Sequence, residues 1–234
     1  MTEHSPDLPK LLSLVAHELR TPAGVVAGYL RMLQQGRAGA LGAQQAKLVE
    51  AADRSSARVI ELLDELSDLA KLESGALPLA RQLVSLPDLL SALRSPSGAD
   101  PSDAPAITID GAVPEVDIEV DLARLRGALK ALAIAARRTP EGQETIAVRA
   151  WGGVGHDELD VLIAIGSPDA IAEIGPHARG TPLAYDCWRG GFGLELAIAA
   201  RVVALHEGEI CTLATRPGSA VALVRLPTSS GQAA

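Results

Sequence analysis

A ten-residue stretch near the start of the chain, VAHELRTPAG, combines the residue types needed to move a phosphoryl group. The neutral imidazole of His17 can attack a phosphorus centre, and Glu18 can take the ring proton and hold the tautomer. Arg20 can neutralise incoming phosphate charge, and Thr21, one turn from His17, can hold an attacking water. Pro22 costs about 3 kcal/mol inside a helix, so its presence there suggests a purpose. The alternative is an ordinary solvated face of a helical bundle.

Two long helices are predicted to position this stretch, because apolar residues recur along it at three- and four-residue spacing. The stripe of the first helix comprises Leu8, Leu12, Val15, Leu19, Pro22, Val26 and Leu33, with Tyr29 or Leu30 between the last two. The seam of the second comprises Leu48, Ala52, Ser55, Val59, Leu62, Leu66 and Leu69. With Val15 and Leu19 facing inward, His17 points to the opposite side and is exposed. A lone pair of helices leaves apolar surface in water, so we expect a C2 homodimer that forms a four-helix bundle.

From residue 76 the pattern changes to short mixed elements. Six strands are predicted at AITID, VDIEV, TIAVRAW, LDVLIAI, GEICTLAT and AVALVRLP, and ALPLARQLV is also extended. Helices are predicted at SLPDLLSALR with Ser85 as N-cap, from Asp121 to Arg137, and from about Leu194 to Leu205. Three helices on one face of a mixed sheet would form an α/β sandwich. The predicted class is therefore α+β, with a helical hairpin over 1–75 and a sandwich over 76–234.

Composition narrows the classes of partner. The net charge of -8 argues against a nucleic-acid surface, so we expect protein partners.

No apolar run is long enough to cross a bilayer, and the first residues lack the pattern of a signal peptide, which favours a cytoplasmic protein. Cys187 and Cys211 are too far apart for a metal or redox motif and are expected to be small buried fillers.

The opening stretch resembles the H-box of bacterial sensor histidine kinases, which reads His-Glu-x-x-[Thr/Asn]-Pro. His17, Glu18, Thr21 and Pro22 match it. The likeness continues through LLDELSDLAKLESG, which is similar to the end of the family's second helix, and then covers nearly the whole chain.

This resemblance implies a dimerisation and phosphotransfer domain over the first 75 residues and a catalytic ATP-binding domain over about 80–229. It implies that His17 is the phosphoacceptor, that Glu18 is its acid/base partner, and that Thr21 aids dephosphorylation of a response regulator.

The ATP-binding part departs from the family pattern in two of its motifs. Lys130 and Ile134 stand where active members carry two asparagines that help to hold magnesium and phosphate, and an aliphatic side chain cannot ligate Mg²⁺. The lysine could partly replace the charge of the metal. The family's Asp-x-Gly-x-Gly, whose aspartate recognises adenine, corresponds to the stretch AIGSP at 164–168, where Gly166 alone is retained.

The last glycine box is retained best. GFGLELAIA is similar to the family's Gly-x-Gly-Leu-Gly-Leu, with Gly191 and Gly193 in place, and a glycine turn that opens a helix can offer N–H groups to an anion. Glu195 replaces a glycine there and would repel phosphates, so a turn kept for packing is the favoured interpretation. The segment between these boxes, in the place of the family's ATP lid, holds Tyr185 and Trp188 and could fold into the nucleotide cleft. His206 is expected to cap a helix C-terminus.

The leading interpretation is a homodimeric two-component protein whose ATP site is degraded. It would exchange phosphate between His17 and the aspartate of a response-regulator receiver domain, or promote dephosphorylation of that regulator. No metal or cofactor is expected, and ATP with Mg²⁺ enters only if the altered site still works. Input would come from a partner, such as a partner kinase. The alternatives are a non-catalytic dimeric module that sequesters a regulator and an active ATP-dependent histidine autokinase.

Overall fold

The computed structural model describes residues 7–76, 78–94, 106–137, 145–154, 160–174, 183–187, 193–216 and 219–229. The chain divides into two compact units, Met1–Leu77 and Pro78–Ala234. The first is a helical hairpin and the second a mixed sheet with helices, so the predicted α+β class is confirmed. No helix within these ranges is long and apolar enough to cross a bilayer.

The hairpin consists of two helices joined by a glycine-containing turn. They are α1 (Leu8–Gln34) and α2 (Ala43–Glu73). The turn uses Gly36 and Gly39 at φ +69° and +104°, a backbone region that L side chains rarely adopt. Helix α1 runs without interruption through Pro22. The two predicted helices are therefore present, with the break where GRAGALG predicted it.

The face through which α1 packs on α2 differs from the predicted stripe. Ala16 is buried at 1% exposure, and the half-buried residues of α1 are Pro9, Leu12, Ala23, Ala27, Leu30 and Leu33. The stripe residues Val15 and Leu19 remain 37% and 50% exposed. Small alanines let the two helices approach closely, whereas the larger apolar residues lie on an adjacent face. Facing Val15 and Leu19 inward is therefore wrong for the single chain, although Leu12, Leu30 and Leu33 are shared by both faces.

Within its described residues, the sheet unit contains eight strands and four helices. The strands are β1 (Gln82–Ser85), β2 (Ala106–Ile109), β3 (Asp117–Val120), β4 (Thr145–Val154), β5 (Asp160–Gly166), β6 (Leu183–Ala184), β7 (Glu209–Arg216) and β8 (Ser219–Pro227). The helices are α3 (Leu86–Arg94), α4 (Leu122–Arg137), α5 (Pro168–Ala172) and α6 (Glu195–Leu205). Strands β1 and β3 form a two-stranded antiparallel sheet. The other six are ordered β2-β4-β5-β8-β7-β6, with only the β2–β4 pair parallel among them.

Both faces of the six-stranded sheet are apolar, and side chains alternate between them. One face carries a core cluster that α5 covers: Ala147, Ala164, Ala170, Ile171, Ile174, Leu213, Val221 and Leu223. Residues of the opposite parity, such as Ile163 and Ile165, are fully buried on the other face. We assign that face to the long helices, because α4 contacts β4, β5 and β8 and packs on α6. The sequence predicted three helices on one face and missed α5 on the other.

Neither cysteine is fully buried. Cys187 and Cys211 are free thiols of intermediate exposure, and Cys211 packs against the α5-covered cluster. Burial raises the pKa of the Cys211 thiol. The expected buried fillers are therefore half-buried.

Candidate functional site

The four residues predicted to carry phosphoryl chemistry lie together on α1 and are all exposed. His17, Glu18 and Thr21 make no hydrogen bond or ion pair with any residue that the structure describes. Pro22 is also exposed within the same helix. Exposure of the ring is the first requirement for reaction with another protein. The side chain of Ala16 packs inward while that of His17, the next residue, points outward, because neighbours on a helix differ by about 100°.

Arg20 is engaged by the second helix. Its Nη2 lies 2.5 Å from Oδ1 of Asp64 on α2. Sequence reasoning placed Arg20 correctly on the row beside His17 but gave no indication of Asp64, which is 44 residues away in sequence. The arginine is held near the expected phosphoryl position while its charge is balanced by a carboxylate.

Helix α4 carries the two residues that replace the family's asparagines. Lys130 and Ile134 are four residues apart and half-buried. Burial lowers the pKa of Lys130, and the nearby Arg126 lowers it further. A cation and a hydrocarbon at these positions present no oxygen to a magnesium ion, which requires oxygen ligands.

The end of β5 is occupied by packing rather than by an acid. Ala164 is fully buried in the α5-covered cluster, and on the face assignment above it points away from α4. Gly166 is buried too, and a Cβ at this position would lie 2.9 Å from Cγ2 of Val221. Its retention therefore has a packing reason. Ser167 begins α5 by accepting a hydrogen bond from the Ala170 N–H at 3.2 Å.

The glycine box before α6 is described only in part. Gly191 lies outside the described residues. Gly193 has φ +60°, the conformation in which glycine is favoured. Glu195 is the first residue of α6, where its carboxylate stabilises the helix end.

The segment in place of the ATP lid has both of its described ends attached to the sheet. Pro168–Ala172 covers one sheet face as α5, and Leu183–Ala184 pairs with β7 as an edge strand. Trp188 lies outside the described residues, and Tyr185 is half-buried. The described ends thus pack on the sheet, and residues 175–182 and 188–192, to which the expectation of a lid folded into the nucleotide cleft also applies, lie outside the described residues.

A buried histidine in the sheet unit was underestimated from the sequence. His206 does end α6, as predicted, but it is 3% exposed. Its Nε2 accepts the Asp121 N–H at 2.9 Å, and its Nδ1 donates to the Val202 carbonyl at 2.7 Å. Burial lowers the pKa of His206; the bond to the Val202 carbonyl opposes this shift, while Arg81 lowers the pKa further and Asp121 raises it least. The ring is thus a neutral structural link in addition to the predicted C-cap of α6.

Asp121 forms the other half of this link. Its carboxylate accepts the Ala80 N–H at 3.0 Å and the Arg124 N–H at 3.1 Å, the second bond being the N-cap of α4. The LHEG sequence alone could not reveal this arrangement, because the partner lies 85 residues away.

Comparison with known proteins agrees with the geometry of α1 and with the fold. The His Kinase A (phospho-acceptor) domain matches residues 8–75. The histidine protein kinase DivJ of Caulobacter vibrioides is 26% identical over 228 residues, which are 93% of this chain and 37% of that protein. The probable sensor histidine kinase TcrY of Mycobacterium tuberculosis is 31% identical over 225 residues, 93% of this chain and 45% of that protein.

A solved structure extends the likeness to the three-dimensional fold. The crystal structure of full-length ShkA in complex with AMPPNP has a TM-score of 0.64 at 23% identity and covers 94% of this chain and 46% of that one. The chain spans less than half the length of these relatives. The phosphoacceptor-domain match, which includes His17, and the similarity to histidine kinases along nearly the whole chain lead to one assignment. This protein belongs to the bacterial sensor histidine kinase family.

Proposed function

We propose that this protein is a homodimeric histidine phosphotransfer protein of two-component signalling that works without an ATP-dependent kinase step. His17 exchanges a phosphoryl group with the aspartate of a response-regulator receiver domain, and Thr21 assists its hydrolysis. The observation that carries the proposal is a contrast between the two units. The H-box side chains are exposed on α1, whereas the positions that would hold magnesium carry a lysine and an isoleucine, and the position that would recognise adenine carries a buried alanine.

The exposed His17 ring supports transfer between proteins. A receiver aspartate must approach in line with a ring nitrogen, and nothing described in the chain covers that ring. Glu18, next to it and without a bonded partner among the described residues, can accept the ring proton as the phosphorus–nitrogen bond forms. Thr21, one turn further along, is placed to orient a water for hydrolysis.

The apolar surface of the hairpin supports the homodimer. Large apolar side chains are exposed on both helices: Leu8, Leu19 and Val26 on α1, and Leu48 and Val59 on the predicted seam of α2. A contiguous apolar surface of this kind marks an interaction site. A second copy of the same hairpin buries it in a four-helix bundle, the arrangement that phosphoacceptor domains of this family imply.

The residues present do not fit a magnesium–nucleotide complex, and this supports the loss of the kinase step. Phosphoryl transfer from ATP depends on positioning and on neutralising charge, mainly through metal ions. Ile134 supplies no metal ligand, and Glu195 places a negative charge at a helix end where phosphates would bind. The sheet unit would then serve as a docking or regulatory surface.

Phosphate exchange with purified receiver proteins tests the proposal. Receivers phosphorylated by acetyl phosphate are mixed with wild type, His17→Ala, Thr21→Ala and, as a matched exposed control on the same helix, Ser13→Ala. Loss of label transfer in His17→Ala, with normal transfer in Ser13→Ala, is expected. Slower receiver dephosphorylation is expected for Thr21→Ala. Equal behaviour of all four proteins would instead indicate a module that only binds and sequesters the regulator.

An ATP-dependent autokinase is the second candidate, because DivJ and TcrY are named histidine kinases and match 93% of this chain. A titration with ATP in the presence and absence of Mg²⁺ separates the two functions. The proposal expects no magnesium-dependent binding and no label on His17 from ATP. Tight magnesium-dependent binding would overturn the loss of the kinase step and leave the phosphotransfer role intact.

A further inference from the structure

One ion pair joins α1 to α2 beside the phosphoacceptor. Arg20 and Asp64 are 2.5 Å apart, with side chains that are 43% and 61% exposed. Because the partners lie on different helices, the contact depends on the hairpin and not on local sequence. It joins Arg20, three residues from His17 on α1, to a carboxylate of α2.

Asp64 makes no ion pair with a basic residue of its own helix. Glu61 and Asp68, which flank it at three- and four-residue spacing, each pair with a basic residue of α2. None of the four residues that neighbour Asp64 at this spacing is basic. Its counter-charge therefore comes from Arg20 across the hairpin.

Arg20 lies between His17 and α2 on the surface of α1. At about 100° per residue, Arg20 is rotated about 60° from His17 toward the face that carries Ala16. Side chains three positions apart on a helix are neighbours, about 5–6 Å apart at Cβ. The guanidinium can therefore reach Asp64 or a phosphoryl group on His17, but it cannot bond both fully.

The two anions differ in strength. An exposed carboxylate–arginine pair is weak in water. A phosphoryl group carries close to two negative charges and three acceptor oxygens, and arginine binds it through two parallel bonds. Exchange from Asp64 to a phosphorylated His17 is therefore favourable, and loss of the resting pair costs little stability.

We propose that Asp64 is a positioning residue, which holds Arg20 away from His17 until a phosphoryl group arrives. The inference rests on the proposed role of His17 as phosphoacceptor. Asp64 slows entry of an anionic donor by occupying the guanidinium, and phosphorylation of His17 releases a tie between the two helices. Phosphorylation would in this way be sensed by the hairpin itself.

Phosphoramidate is a suitable probe because it needs neither ATP nor a regulator. Its P–N bond breaks while a P–N bond to a ring nitrogen of His17 forms, and ammonia leaves as ammonium with the proton that the ring releases. The rate of labelling is measured on the full chain for wild type, Asp64→Asn, Asp64→Glu, Arg20→Gln and the double variant Arg20→Gln/Asp64→Asn. Asp53→Asn is the matched control, since Asp53 also bonds across the hairpin, to Gln34 at 3.1 Å.

Asp64→Asn is expected to accelerate labelling about two- to fivefold, the range of an exposed ion pair. Asp64→Glu and Asp53→Asn are expected to keep the wild-type rate, and Arg20→Gln to lower it. In the Arg20→Gln background, Asp64→Asn should change nothing. Acceleration that persists in that background, or that Asp53→Asn reproduces, would show a general charge effect and overturn the inference.

The labelling rates distinguish the positioning role of Asp64 from the phosphoacceptor role of His17. Normal labelling of wild type with no response to Asp64→Asn overturns the positioning role alone. Absence of label on wild-type His17 overturns the proposed function, and the inference with it.

Discussion

Replacing His206 with leucine should lower the free energy of unfolding and remove part of its pH dependence. The ring is 3% exposed, and its Nε2 is the acceptor for the Asp121 N–H. Leucine fills a similar volume but leaves that N–H buried without an acceptor, which costs about 1–3 kcal/mol. The loss is expected at neutral pH, where the ring is uncharged in both folded and unfolded chains.

The pH dependence follows from the lowered pKa of the folded ring. Below the ordinary histidine value of about 6.5, the unfolded chain binds a proton that the folded chain resists, because Nε2 already accepts a bond in a buried site. The contribution is fully present above that pH and is lost as the pH falls toward the lower folded pKa. One group can change stability by at most about 1.4 kcal/mol per pH unit. Protonation would also oppose the positive charge of Arg81, which helps to depress the pKa of His206.

Urea unfolding between pH 5.5 and 7.5 measures both effects. This window avoids the titration of most carboxylates, and His17→Asn serves as the control because His17 is exposed. The wild type and His17→Asn should lose stability together as the pH falls, whereas His206→Leu should be less stable at pH 7.5 and follow a flatter curve. An identical slope in all three proteins would refute the assignment of His206 as a neutral structural link.

Substitutions at four further positions test the packing. Gly166→Ala places a Cβ 2.9 Å from Val221 Cγ2 and should cost about 1–3 kcal/mol in urea unfolding, whereas Gly127→Ala, in helix α4 with no atom within 4 Å of its Cβ, should stabilise by about 0.5–1 kcal/mol. Val26→Glu should convert the dimer to monomer in sedimentation velocity at micromolar concentration, because Val26 is 52% exposed in the single chain; Val26→Leu should remain dimeric. Ala164→Asp, which reinstates the family's acid, should destabilise by several kcal/mol without producing adenine binding in a calorimetric titration, since the side chain is buried in the α5-covered cluster.

Local signals were sufficient for most elements of the fold. The predicted start of α3 is confirmed, with Ser85 Oγ accepting the Asp88 N–H at 3.2 Å. The hairpin of β4 and β5 and that of β7 and β8 are confirmed as antiparallel pairs. Hydrophobic periodicity, capping residues and turn residues predict these elements. Helix α5 was missed although Ser167 and Pro168 form an N-cap followed by a helix-starting proline.

Which face of α1 packs within the chain could not be read from the sequence. The helix has alanines on one face and larger apolar residues on the adjacent one, and both follow the same spacing. The larger residues dominate the hydrophobicity pattern. The two helices nevertheless pack through Ala16, because a small side chain lets them approach closely. Spacing identifies an amphipathic helix, but it does not separate contacts within one chain from contacts with a second copy.

The same distinction applies to the candidate sites. The predicted exposure of His17 agrees with the structure, although the prediction placed Val15 and Leu19 inward and the face that packs on α2 carries Ala16 instead. The roles of His17, Glu18, Arg20 and Thr21 stay predictions. What the sequence could not supply is each group's long-range partner: Asp64 for Arg20, and Asp121 for His206. A motif determines which side chains lie together on one helix, and the tertiary fold determines which of them are bonded to residues elsewhere in the chain. Asp64 is the anion that Arg20 contacts in the structure, and the proposed phosphoryl group on His17 would compete with it for the same guanidinium.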